Sequence, residues 1–299
     1  MNIQERIELV RNDREHGSRW LVREAILILR DLATVTFPSP AEQRRALYQA
    51  GYALAEARPA MAALVGVVSA ILAISDEPME IARAAEQQLQ NYEEATGQIT
   101  RHARPLLQGS ILTCSISGTV LDVLVACRDR LREVIVLEGR PRYEGRVMAQ
   151  SLSEQGIAVT LLTDAQADIF LPSCSAVVVG ADSVLADGDV LNKAGTALLA
   201  WAARGHNVPF YVLCEMLKIS DQRWTGDTRM LEEKEPEEVL PQPISGVTVR
   251  NFYFDRTPPQ LVTSIVTERG ILHAADVAAI AAQVHENKQK LYSEGKKQR

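Results

Sequence analysis

Residues 110–138 read SILTCSISGTVLDVLVACRDRLREVIVLE. A short apolar run ends in a turn of small residues, a helical stretch follows, and a second apolar run, EVIVLE (133–138), closes the unit. Strands that are apolar throughout and joined through a helix are what a parallel sheet requires, since it is covered on both faces and needs long crossovers. The pattern repeats downstream. IAVTLLT (157–163), AVVVGA (176–181) and VPFYVLC (208–214) are further strand candidates. Between them lie the helical stretches YEGRVMAQSLSEQG, DAQADIF and NKAGTALLAWAARG. The spacing predicts an α/β domain with a mainly parallel sheet over residues 105–299.

Upstream of residue 105 the periodicity is helical. In WLVREAILILRDLA (20–33), Leu21, Ala25, Ile28, Leu29 and Leu32 share one face, and Arg23, Glu24 and Arg30 point away. SPAEQRRALYQAGYALAEA (39–57) opens with Ser39 as N-cap, Pro40 at the first helical position and Glu42 three residues after the cap. MAALVGVVSAILAI (61–74) is too short to cross a bilayer and reads as a buried helix. DEPMEIARAAEQQLQNYEEATGQI (76–99) reads as a long, largely solvated helix. Residues 1–104 are therefore expected to form a helical domain.

Composition narrows the function. With 299 residues, 46% hydrophobic and 23% charged, the chain has the profile of a globular protein large enough for two cores. Its net charge of -6 excludes a nonspecific nucleic-acid surface, which would be basic. The four cysteines, Cys114, Cys127, Cys174 and Cys214, are scattered, so neither a structural zinc site nor a disulfide framework is expected. The charged amino terminus lacks the apolar segment of a signal peptide, and the expectation is a cytoplasmic protein without a membrane span.

In parallel α/β sheets, ligands bind beyond the carboxyl ends of the strands. Five such ends carry polar residues here. After the first come Ser115, Ser117 and Gly118, able to aim hydroxyls and backbone N–H groups at an anion above a helix N-terminus. After the second come Arg140, Arg142 and Arg146, and the guanidinium fork suits phosphate. TDAQAD (163–168) follows the third, and Asp182 follows the fourth, with Asn192 and Lys193 opening the next helix. Glu215 and Lys218 follow the fifth. Each also has a plainer role: Ser115 and Ser117 as helix caps, Arg142 and Arg146 as exposed helix charges, Asp182 as a turn residue, Lys218 as a surface lysine. Their gathering at one edge of one sheet points to a phosphate-bearing ligand.

The segments EGRPRYEGR, GIAVTLLTD, VVVGADSVLADGDVLNKAGT and VPFYVLCEMLK, with NFYFDRTPPQLVTSIVTERG (251–270), carry a family resemblance. They resemble the family shared by the α, β and δ subunits of translation initiation factor 2B, ribose-1,5-bisphosphate isomerase and 5-methylthioribose-1-phosphate isomerase. The resemblance runs from Gly17 to Gly270 and is densest over 109–218. It implies an N-terminal helical domain followed by a Rossmann-like domain, assembly as a homodimer or larger, and a phosphorylated sugar or nucleotide as ligand, with no metal or other cofactor. By the same resemblance, the ligand positions would be Gly17, Ser18, Arg19, Arg58, Ser117, Gly118, Arg140, Asn192, Lys193 and Lys218. Asp182 matches the catalytic aspartate of the isomerases.

One departure bears on chemistry. The isomerases read THCxS in the first turn, and the place of their reactive cysteine is held here by Ser115, with Cys114 in the place of the histidine. An alcohol does not exchange its proton near neutral pH without a strong adjacent base, and no histidine is close in sequence. Adjacent strand residues face opposite sides, so Cys114 reads as a buried small hydrophobe. The tryptophan of HGSRW and the loss of aromatics beside Lys218 are further departures. Two expectations follow: an aldose–ketose isomerase with variant machinery, using Asp182 and, as a positioning hydroxyl, Ser115; or a non-catalytic ligand-sensing subunit like those of the initiation factor.

Overall fold

The protein, as a computed structural model, is described over residues 2–13, 18–58 and 61–297. It divides into two compact units. One comprises Met1–Glu94, Leu217–Gln222 and Ala278–Arg299, the other Ala95–Met216 and Arg223–Val277.

The first unit is helical: α1 (Ile3–Asn12), α2 (Ser18–Thr34), α3 (Pro40–Ala57), α4 (Ala62–Ile74) and most of α5 (Pro78–Ala103), with most of the last helix, Ala274–Lys297. Its starts are set by local chemistry. Asn2 accepts from the Glu5 N–H at 2.8 Å while the Glu5 carboxylate accepts from the Asn2 N–H at 2.9 Å, a reciprocal cap. Ser39 accepts from the Glu42 N–H at 3.2 Å, with Pro40 supplying a first-turn φ that needs no donor. The apolar run 61–74 becomes α4, where Leu64, Val67, Val68, Ile71 and Leu72 are all fully buried. A helix apolar on every side has to be central, and α4 packs against α2 and α3. Arg6 ties α1 to α2 through Glu24 at 2.6 Å and Asp31 at 2.7 Å. Among the described residues no helix is long and apolar enough to cross a membrane.

The second unit is α/β. Its elements in order are β1 (Gly109–Cys114), α6 (Gly118–Ala126), β2 (Leu131–Leu137), α7 (Glu144–Glu154), β3 (Val159–Leu162), the single turn α8 (Ala167–Phe170), β4 (Ala176–Val179), β5 (Ser183–Val184), β6 (Val190–Lys193), α9 (Thr196–Gly205), β7 (Phe210–Leu213), β8 (Phe254–Thr257), β9 (Ser264–Thr267), β10 (Gly270–Leu272) and the start of α10 (Ala274–Lys297). Seven strands form one sheet in the order β10-β9-β7-β4-β1-β2-β3, parallel except for the β9–β10 hairpin. Ile111, Val134, Val136 and Val178 pack with Val120, Val123 and Leu124 of α6 and with Met148 and Leu152 of α7. Such fully covered strands must be apolar throughout, which is why the runs of the sequence and the strands coincide.

The strand order reverses at β1. From there the chain moves outward through β2 and β3, then returns to place β4 on the other side of β1. The crevice at such a reversal is where open α/β sheets take ligands. A small antiparallel sheet, β5-β6-β8, stands beyond the end of β4. It corrects one expectation: Asn192 and Lys193 do not open a helix but end β6. There they pair with Asp255 and Phe254 of β8. The chain turns at Gly195, with φ at 108°, before α9 begins at Thr196. DAQADIF is helical but short, a 3-10 turn over Asp164–Gln166 that runs into α8 and then into a second 3-10 turn over Leu171–Ser173.

Candidate functional site

The site lies in the α/β unit, where the tips of β1 and β4 meet the small sheet. β1 ends at Cys114, and Ser115 turns the chain with φ at 59°, a left-handed conformation that costs a non-glycine residue on the order of 1 kcal/mol. Held strain of this kind concentrates at functional positions. Ser117 then caps α6, accepting from the Val120 N–H at 3.4 Å, and Gly118 begins that helix. Across from it stands Gly180. A Cβ there would lie 2.7 Å from the Ser117 hydroxyl, so only glycine lets the two strand tips close on each other. Asp182 follows, its N–H donated to the Leu191 carbonyl at 2.9 Å, which fixes it to the β5–β6 hairpin.

These tips enclose a cavity of about 170 Å³ lined by Ser115, Ser117, Glu144, Asp182, Asn192, Lys193 and Tyr253, among others. A second cavity of about 380 Å³ shares Cys114, Ser115 and Lys193 with the first and is walled by Leu137, Ala167, Leu198 and Leu199. A polar chamber thus adjoins a larger apolar one. Lys193 stands at their boundary, almost fully buried. Its ammonium donates to Glu144 Oε1 at 2.7 Å and sits 4.4 Å from the centre of the Tyr253 ring. Asn192 donates to the Thr196 hydroxyl at 3.0 Å, and that hydroxyl donates to the Lys193 carbonyl at 2.6 Å, locking the turn that presents both residues.

Two buried acids behind this turn are perturbed. Burial pushes the Cys114 thiol up to about 12, against the pull of Thr196, whose hydroxyl is 3.6 Å from the sulfur. A thiol in that state is not a nucleophile or proton shuttle near neutral pH. Burial also raises the Asp255 carboxyl, to about 6, even though its Oδ2 accepts from the Ala197 N–H at 3.0 Å and the Gly195 N–H at 2.7 Å.

Of the residues singled out in the sequence, Ser115, Ser117, Asp182, Asn192 and Lys193 line one cavity. Gly118 lies beside it at the start of α6. Arg140 belongs to the same unit but its guanidinium is spent elsewhere, on the Tyr143 hydroxyl at 2.6 Å and the Val239 carbonyl at 3.0 Å. Arg142 bonds the Tyr253 hydroxyl, and Arg146 pairs with Glu138 at 2.9 Å while lying 3.9 Å over the Tyr143 ring. Glu215 is buried and accepts from Thr119 at 2.6 Å. Ser18, Arg19, Arg58 and Lys218 belong to the helical unit. There Ser18 and Arg19 open α2, Arg58 donates to the carbonyls of Val10 and Asp13, and Lys218 is nearly buried at the end of a 3-10 turn. Gly17 lies outside the described residues.

Glu144, Tyr253 and Asp255 are absent from the reading of the sequence. Glu144 carries a local signal: the following Gly145 has no room for a Cβ, which would fall on the Leu137 carbonyl, so α7 starts hard against the end of β2 and places Glu144 at the strand tips.

A match to the Initiation factor 2 subunit family spans residues 14–274. The chain belongs to this family. A putative translation initiation factor eIF-2B subunit 2-like protein of Pyrococcus furiosus is 31% identical over 273 residues, covering 89% of this chain and 94% of the relative. Ribose 1,5-bisphosphate isomerase of Archaeoglobus fulgidus, also matched, is 33% identical over 230 residues, covering 73% and 74%. The crystal structure of 5-methylthioribose 1-phosphate isomerase from Pyrococcus horikoshii superimposes with a TM-score of 0.73 at 26% identity, over 95% of this chain and 88% of that one. The family therefore includes both sugar-phosphate isomerases and initiation-factor-like proteins, and this chain is similar to each.

Proposed function

We propose that the chain binds a phosphorylated pentose in the cavity between the β1 and β4 tips and that Asp182 carries an aldose–ketose isomerisation there. The observation that supports the reading is the convergence of Ser115, Ser117, Asp182, Asn192 and Lys193 on one chamber at the point where the strand order reverses. Lys193 and the N-terminus of α6 with its Ser117 cap suit the phosphate oxygens. Asp182 lines the same chamber and is assigned the proton transfer, which the Cys114 thiol, held protonated by burial, does not carry.

For a pentose 1-phosphate the steps balance without an oxidant. The C1–O bond to the ring oxygen breaks as that oxygen takes a proton. Asp182 takes the proton from C2, and the electron pair forms a C1=C2 enol. Asp182 returns its proton to C1 as the C2 hydroxyl gives up its own, which replaces the one the ring oxygen took, leaving a C2 ketone. The Lys193 ammonium stabilises the negative charge that develops on oxygen along this path.

The assay is ketose formation from ribose 1,5-bisphosphate or 5-methylthioribose 1-phosphate, followed by NMR. Turnover by the wild-type protein that disappears in Asp182→Asn is the expected result. A second reading is favoured by Ser115 standing where the resemblance places a thiol: the pocket binds its ligand without turning it over, as a regulatory subunit would. Binding by the wild-type protein with turnover appearing only in Ser115→Cys would decide for that reading.

A further inference from the structure

Among the described residues lining the polar chamber, the carboxylates are Glu144 and Asp182 and the cation is Lys193. The ammonium of Lys193 is already engaged by Glu144 at 2.7 Å, inside a part of the chamber where the lysine is almost fully buried. Glu144 Oε2 is also buried, and it has no hydrogen-bond partner. A carboxylate with one oxygen on a buried lysine and the other unsatisfied is poorly matched to a site for a dianion. It repels the incoming charge and holds the donor that the charge needs.

We propose that Glu144 is a built-in competitor for Lys193, which the ligand's phosphate must displace, so that the Glu144–Lys193 pair sets how tightly the chamber takes an anion. The inference rests on the proposed function, because it assumes that a phosphate is the group Lys193 receives. Two features let the lysine change partners without leaving its place. Its ammonium is also held over the Tyr253 ring at 4.4 Å, and the Tyr253 hydroxyl is anchored on Glu238 at 2.6 Å, so the aromatic seat does not depend on Glu144. The turn carrying the lysine is locked separately by Thr196. Glu144 itself starts α7, where a carboxylate is welcome at the helix N-terminus once Lys193 has been drawn away.

The test is titration calorimetry of the full chain with inorganic phosphate and with ribose 1,5-bisphosphate, for wild type, Glu144→Gln, Glu144→Ala and Lys193→Met. Far-UV circular dichroism establishes that each variant is folded. Removing the competing charge is expected to tighten both ligands by about tenfold or more in Glu144→Gln and in Glu144→Ala, and Lys193→Met is expected to weaken them. Unchanged or weaker binding in either Glu144 variant, with the wild type binding normally, overturns the inference and leaves the proposed function standing. No binding by the wild type or by either Glu144 variant overturns both.

Discussion

Asp255→Asn tests whether the turn that presents Asn192 and Lys193 is held by a carboxylate buried at an energetic cost. The carboxyl sits near 6 because burial penalises its charge more than the two backbone N–H groups of Gly195 and Ala197 favour it. An unfolded chain would hold it at about 3.9, and at ~1.4 kcal/mol per pH unit the gap corresponds to about 3 kcal/mol. The sign follows from the direction. The folded value is raised, so the folded protein binds this proton more tightly, and the stability it contributes is complete below about pH 4 and lost as pH rises through about 6. Asparagine keeps an acceptor for the two N–H groups and does not titrate. The wild-type stability minus that of Asp255→Asn, from urea unfolding, is therefore expected to fall by about 2–3 kcal/mol between about pH 4 and 7 and to stay level above. A difference that does not change with pH would mean that Asp255 is not held by burial with a raised proton affinity.

Gly180→Ala would put a methyl 2.7 Å from the Ser117 hydroxyl and 2.9 Å from its Cβ. With the cap of α6 displaced, a loss of about 1–2 kcal/mol is expected, seen as a lower melting temperature; an unchanged one would mean that the strand tips do not meet as closely as described. Iodoacetamide applied to the native protein near pH 8, followed by peptide mapping, is expected to leave Cys114 unmodified, because burial holds its thiol at about 12. Labelling of Cys114 at the rate found in urea would contradict that.

The fold is legible in the sequence where a strand forms a continuous apolar run. β3, β4 and β7 fall within an apolar run of the sequence, and β1 and β2 overlap theirs while starting one and two residues earlier. Short strands with polar ends are not legible in this way. β6 contains Asn192 and Lys193, and its partner β8 lies some sixty residues further on, so no local pattern distinguishes VLNK from the start of a helix. The site divides along the same line. Ser115, Ser117 and Asp182 are legible because they sit directly beyond strands, at positions that parallel sheets use for ligands. Glu144 and Asp255 gain their roles only through contacts with residues distant in sequence, Lys193 in one case and Gly195 with Ala197 in the other. Cys114 is legible too: the sequence places it as a buried small hydrophobe, and its packing keeps the thiol buried and protonated.

We propose that the chamber where the strand order reverses takes a phosphorylated sugar through Lys193. Titration of ribose 1,5-bisphosphate into the wild-type protein and into Lys193→Met measures it most directly. Saturable binding to the wild type is expected, weakened at least about tenfold in the variant, as loss of a charge-assisted contact to phosphate requires. Equal affinity in the two proteins, or none in either, would contradict it.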